Sequence, residues 1–169
     1  MSEIREIVTK AVVAKGKKLF RLKQVIPLET NIDKILGCWV LNHETNASLN
    51  GNCVNVSGSF ETDVWYLLDN NTLTNVVKAN TTYEDVVKVR ELICECVNDN
   101  QVICTRVLQQ PTCTNACIKD NTIELDIVFE LVVEIIGETK IMVNVFDCIE
   151  TFDPVDDFEN EINEDFLNE

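Results

Sequence analysis

A chain of 169 residues with 46% hydrophobic content is long enough to bury a real core in one domain. Its net charge of −15 argues against general nucleic-acid binding, which needs surplus Lys and Arg to neutralise phosphates. No run of about eighteen apolar residues offers a membrane span, and charges interrupt MSEIREIVTK before a signal-peptide apolar region forms, so first use in a cytoplasm is expected.

The charge is unevenly placed. Met1–Lys34 carries eight Lys/Arg against four acids, whereas ten acids and no base follow Lys140. Such a basic head and acidic tail suit head-to-tail contact between copies; a tail that only aids solubility is the plain alternative.

In chain order, Ser2–Val8 fits either a short helix or a strand. Thr9–Ile26 reads as strand, turn, strand, with Gly16 and its flanking lysines at the break and Pro27 as the stop. Ile35–His43 is an apolar strand, and Glu44–Asn50 a polar connection. Asn50-Gly51 is a strong hairpin signal, because both residues tolerate positive φ. The clearest pattern follows in Asn52–Leu68. Val54, Val56, Phe60, Val64, Tyr66 and Leu68 share one parity; Asn55, Ser57, Ser59, Glu61 and Asp63 share the other. A period of two over this length specifies a long strand with one buried and one wet face. Gly58 sits on the buried parity, where it leaves a gap or marks a bulge. Trp65 and Leu67 break the wet face at its end, so a neighbouring element or another chain is expected to cover them.

Asp69–Thr72 is a turn of residues that bond their own backbone. Leu73–Asn80 and Thr82–Arg90 follow as strands. Glu91–Val97 is apolar, Asn98–Asn100 is a turn, and Gln101–Gln110 is a strand ended by Pro111. A further turn, Lys119–Asn121, opens a second long alternation from Ile123 to Ile135. There Val128 and Val132 occupy the second face, which predicts partial cover on both sides. Gly137-Glu138 is expected to reverse the chain, with Ile141, Val143 and Val145 returning as a hairpin partner. Asp147–Glu169 is expected to be disordered or briefly helical. Its Phe152, Phe158, Phe166 and Leu167 make it a candidate docking peptide for partners.

Nine or ten strands with polar turns predict an all-β fold: an antiparallel two-sheet β-sandwich, with a barrel as the alternative. The expected organisation is a sandwich domain over 1–146 and an acidic, partly disordered C-terminal tail over 147–169.

No catalytic motif stands out. The only histidine, His43, lies five residues from Cys38, hence on the opposite face of a regular strand, and reads as a solvent-exposed strand-end residue. No phosphate loop, nucleophile elbow or metalloprotease motif is present. The eight cysteines carry the main chemical signal. Cys94, Cys96, Cys104, Cys113 and Cys117 crowd one segment. Four thiolates can hold zinc, but the usual two-residue knuckle spacing is missing. The other readings are oxidative cross-linking, with Cys38 as a further candidate, and inert apolar thiols. No cofactor, metal or catalytic residue is assigned. Asn-x-Ser/Thr triplets at Asn46, Asn55, Asn70 and Asn80 read as chance in an Asn-rich chain.

Several stretches resemble the CotE-type outer spore-coat morphogenetic proteins of endospore-forming bacteria. These are SEIREIVTKAVVAKGKK, ILGCWVLNH, VSGSFETDVWY, RVLQQPTC and EIIGETK, in that order over about residues 2–145, and the tail ending INEDFL is also similar. A looser VxGxxxxxVWY pattern resembles β-rich domains of other spore-envelope proteins. The resemblance implies a non-enzymatic scaffold, present in the mother-cell cytoplasm during sporulation and then in the spore coat. Such a scaffold self-associates, docks on the basal coat through the coat-anchoring ATPase, and recruits outer-coat proteins. It implies self-association for Ser2–Lys18 and recruitment for Asp147–Glu169. The family's Gly-Gly-Trp stands here as Gly37-Cys38-Trp39, and Cys94–Cys117 is richer in cysteine than the family pattern. Both departures point to a larger share for disulfides in cohesion, while the shorter tail puts recruitment of the same partners in doubt. The alternative function is a monomeric β-sandwich module that binds a protein or polymer of the spore envelope.

Overall fold

A computed structural model describes residues 2–51, 53–68, 70–92 and 96–146, with the side chains of all of these except 2, 96–99 and 146. The strands are β1 (Ser2–Pro27), β2 (Lys34–Asn50), β3 (Cys53–Leu68), β4 (Leu73–Lys88), the two-residue β5 (Arg90–Glu91), β6 (Cys96–Lys119) and β7 (Thr122–Phe146). They form a four-stranded sheet in the order β5-β1-β7-β6 and a three-stranded sheet in the order β2-β3-β4. The fold is therefore all-β, with two antiparallel sheets, and not a closed barrel. Contacts divide the chain into two units. Val8–Ile141 is the larger, and the smaller comprises Met1–Ile7 with Met142–Glu169; its described residues are the ends of β1 and β7.

In the larger unit the core lies between the inner faces of the sheets. β3 contributes Val54, Val56, Phe60 and Val64, and β7 contributes Ile123, Leu125, Ile127, Phe129, Leu131 and Val133, all at 2% exposure or less. These are the two long alternations read from the sequence. Full burial of each such side chain is worth about 1.5–3 kcal/mol. Val132, on the opposite parity of β7, is buried as well, as two-sided cover requires. Between the sheets Thr62 donates a hydrogen bond to Gln24 at 2.9 Å, which satisfies two buried polar side chains at once.

The strands are longer and fewer than expected, because several apparent breaks are bulges or close approaches. Gly16 does not interrupt β1: a Cβ there would fall 2.3 Å from the Lys88 carbonyl oxygen, so the glycine admits a neighbouring backbone. Ser2–Val8 is strand, continuous with it. Glu44–Asn50 is not a connection but the second half of β2, resumed after a register shift between Leu41 and Glu44 where Asn42 takes φ 52°. Leu73–Lys88 is one strand. Asn98–Asn100 does not turn the chain; Asn100 at φ 73° sits in an irregularity between Val97 and Val102. Pro111 does not end β6, because it lies in a second irregularity on an edge strand, where its missing N–H is tolerated. Gly137 does not reverse β7 either. The γ-carbons of Val13 lie 3.3 Å from where its Cβ would be, and the strand runs on to Phe146, so the expected hairpin with Ile141–Val145 does not form.

The expected turns at 70–72 and 120–121 do form, with Asn70, Asn71, Asp120 and Asn121 all at positive φ. In the first hairpin Asn50 pairs with Cys53 and Gly51, at φ 60°, begins the loop, so Asn50 itself belongs to the ladder.

Candidate functional site

The outer face of the three-stranded sheet is divided in two. Strand register places Trp39, Leu41, Trp65 and Leu67 on it, with Val76 across from Trp65 on β4. Trp39 is 52% exposed and Trp65 42%; Leu67 is half-buried. Gly37 faces Trp65 across the strands, and the Trp39 ring lies over it, 2.6 Å from where a Cβ would stand. The glycine thus lets one indole lie flat beside the other's strand. The other end of the same face carries Asn46, Ser48, Ser57, Ser59, Asn80 and Thr82, with Val86 as an exposed apolar exception across from Asn55. Alongside Trp39 and Leu41, whose register partners are Asp63 and Glu61, Lys78 reaches Asp63 at 3.0 Å and Glu61 at 3.4 Å, and those two bonds hold its ammonium above the usual lysine range.

The four-stranded sheet presents a different surface. Glu134 accepts a hydrogen bond from Lys15 at 2.7 Å and lies 3.8 Å from Arg106 as an ion pair, while Lys17 meets Glu130 at 3.4 Å. The Lys15 bond holds the Glu134 carboxyl below its usual value. Exposed pairs of this kind contribute little stability, but they keep that surface wet.

Trp39 and Leu41 escaped the sequence reading because ILGCWVLNH resembles an undivided apolar strand. Its alternation was nevertheless present: Cys38 and Val40 face the core, Trp39 and Leu41 face out. The bulge at Asn42 then shifts the parity by one. His43 therefore joins Cys38 on the inner face, contrary to the expectation of opposite faces, and it is not a solvent-exposed strand-end residue.

His43 stands among aromatic rings from three other strands. Its Nε2 and the Tyr83 hydroxyl are hydrogen-bonded at 2.7 Å, and its ring centroid lies 5.2 Å from Phe129 and 6.3 Å from Phe60. Phe20 stacks on Phe129 at 4.7 Å. Nδ1 of His43 is buried with no partner, so an imidazolium would leave a donor unpaired there. Burial accordingly lowers the His43 pKa from 6.5, and burial raises that of the Tyr83 phenol from 10.0. The sign of the pH effect follows. Above pH 6.5 the ring is neutral in both states, and its stability contribution is complete. As pH falls through 6.5 the unfolded chain takes up the proton first, and stability is lost down to the lowered folded value. The urea midpoint should therefore fall between pH 7 and pH 5 by more in the wild type than in His43→Gln; equal falls would remove His43 as the cause.

Among the cysteines, Cys38 and Cys113 are half-buried against the core, Cys53 is half-buried, and Cys104 and Cys117 are exposed on β6. Cys94, the side chain of Cys96, and tail residues Phe152, Phe158, Phe166 and Leu167 lie outside the described residues. Among the described residues no group of three or more His, Cys, Asp or Glu comes together as a metal site, and no helix is long and apolar enough to cross a membrane.

Over residues 3–169 the chain matches the model of a protein family, outer spore coat protein E (CotE). Neither a curated protein nor a solved structure matches it.

Proposed function

Because the chain belongs to the outer spore coat protein E (CotE) family, we propose that it is a non-enzymatic scaffold whose copies associate through the apolar end of the three-stranded sheet. The observation that carries this reading is the pair of half-exposed indoles, Trp39 and Trp65, which stand with Leu41, Leu67 and Val76 at one end of a β-surface whose other end is mainly polar. Each indole still exposes about half of the ~150–250 Å² that a fully covered aromatic side chain buries, and can offer it to a partner at low entropic cost. The charge-laced four-stranded sheet supplies contrast rather than cohesion. In this reading the tail Asp147–Glu169, with Phe152, Phe158, Phe166 and Leu167, docks other coat proteins, among them the basal coat-anchoring ATPase. The protein gathers in the mother-cell cytoplasm before it enters the coat.

The test is light scattering across a concentration series in reductant. Wild-type protein should form concentration-dependent multimers. Trp65→Glu, which places a charge at the centre of the surface, should weaken association by about 30-fold or more, as loss of a hot spot of about 2 kcal/mol implies. Glu on the wet end, in Ser57→Glu, should leave association intact. A wild-type chain that stays monomeric at all concentrations would overturn the scaffold reading in favour of a monomeric binding module. Deletion of Asp147–Glu169 should leave association unchanged and abolish capture of coat proteins; unfolding on deletion would instead make the tail part of the core.

A further inference from the structure

β2 and β6 are edge strands of different sheets, and they run against each other along one side of the sandwich with no shared backbone ladder. Cys38 lies on the inner face of β2, opposite Val64, and Cys113 on the inner face of β6, opposite Ile127. Both border the same core. The Cys113 thiol donates to the Asn115 carbonyl at 3.2 Å, and Cys113 is near enough to Cys38 to act on its thiol. Both cysteines are reduced in this structure. Two inward thiols on neighbouring elements joined by packing alone are placed where a disulfide can close without any backbone ladder being broken.

We propose that Cys38 and Cys113 form a disulfide within one chain, a covalent staple across the seam between the two sheets. Its formation does not depend on how copies associate. With hydrogen peroxide as oxidant the chemistry is balanced in two steps. The Cys113 sulfur attacks the peroxide O–O bond and becomes a sulfenic acid, releasing one water. The Cys38 sulfur then attacks the Cys113 sulfur; the S–O bond breaks, the S–S bond forms, and the departing hydroxide takes the Cys38 proton as a second water. Two thiols are oxidised and one peroxide is reduced.

The order of steps follows from the surroundings. Burial, reinforced by the hydrogen bond to Cys113, pushes the Cys38 thiol up to about 12, so at neutral pH it is protonated and a slow nucleophile. It is the resolving partner, and staple formation should accelerate as pH rises. Exposed Cys104 and Cys117 have no comparable shelter and should alkylate first under reducing conditions.

The experiment uses full-length protein with Cys53→Ala and Cys117→Ala, because tryptic peptides 35–78 and 107–119 otherwise each hold a second cysteine. Equal amounts of ¹⁵N-labelled and unlabelled protein are mixed, oxidised with hydrogen peroxide, blocked with iodoacetamide and digested without reduction. The expected product joins 35–78 to 107–119 with both peptides of the same isotopic kind, and its formation raises the thermal midpoint until dithiothreitol is added. Mixed-isotope products would place the bond between copies and overturn the proposal. So would recovery of Cys38 and Cys113 as alkylated thiols while other cysteines become linked. The double variant must first show the wild-type circular dichroism spectrum. If it does not, the unsubstituted chain is analysed by fragmentation of the linked peptides, with the same two outcomes.

Discussion

Replacing Phe129 with alanine should destabilise the protein by about 3–5 kcal/mol, the usual cost of removing a buried aromatic ring. Phe129 is fully buried, and its ring meets four others: Phe20 at 4.7 Å, Tyr83 at 4.9 Å, His43 at 5.2 Å and Phe60 at 6.2 Å. These come from β1, β4, β2 and β3, so one side chain of β7 touches four strands drawn from both sheets. Deletion would open a cavity lined by aromatic faces held on separate ladders, where collapse cannot easily fill the gap. Total stabilities of single domains are about 5–15 kcal/mol, so the loss takes a large share of the whole. Urea titration monitored by circular dichroism is the check, with Ile118→Ala as the exposed control at about 0.5 kcal/mol or less. A loss below about 1 kcal/mol for Phe129→Ala would mean that the two sheets do not meet at this ring.

The same ring cluster explains what the sequence could and could not disclose. The buried parity of β3 and β7 was legible because it depends on residues two apart in one strand. Which strands those faces would meet was not, since sheet order is a long-range matter. Local turn chemistry was ambiguous for a physical reason. Asn70, Asn71, Asp120 and Asn121 use positive φ to reverse the chain, while Asn42 and Asn100 use the same conformation to bulge a strand that continues. Only the presence of a partner strand on both sides of the irregularity decides between them. Trp65 was legible as an outward apolar residue. Trp39 was not singled out because its neighbours Cys38 and Val40 are also apolar. The Cys38–Cys113 proximity joins residues on two sheets and leaves no mark in spacing. Family membership was the most legible feature of all, carried by five motifs in order and matched over residues 3–169.

An exposed apolar surface is an aggregation hazard unless its extent is controlled, and this sheet controls it through the contrast along one face. Trp39 and Trp65 sit at one end. The Lys78–Asp63–Glu61 network flanks Trp39 on β3 and β4, and mainly polar side chains, with Val86 the exposed apolar exception, fill the far end. A second copy can dry the apolar end without dehydrating the polar one, which favours a defined contact over indiscriminate stacking. The outward set of that face depends on β2 keeping its bulge at Asn42, because the bulge allows the Trp39 segment to face outward while His43 faces the core.

Gly58→Val tests that dependence, and it should cost about 3 kcal/mol, the upper part of the range for overpacking a filled core. A Cβ at position 58 would fall 2.3 Å from the Glu44 carbonyl oxygen and 2.4 Å from the Tyr83 hydroxyl. Neither neighbour is free to yield. Glu44 is the first residue to resume pairing after the bulge, and the Tyr83 hydroxyl is held by His43 at 2.7 Å. The new side chain must therefore push β2 outward, break the His43–Tyr83 bond, or both. Gly51 provides the contrast. A Cβ there would meet nothing within 4 Å, but the residue lies at φ 60°, so Gly51→Ala meets only backbone strain, about 1–2 kcal/mol. Urea midpoints should rank wild type above Gly51→Ala and Gly51→Ala above Gly58→Val. Histidine NMR adds a readout that stability alone does not provide. In Gly58→Val the His43 pKa should move back toward 6.5 as water reaches the ring, whereas in Gly51→Ala it should stay lowered. If His43 titrates identically in Gly58→Val and the wild type, the glycine is not what seats the histidine beneath the bulge.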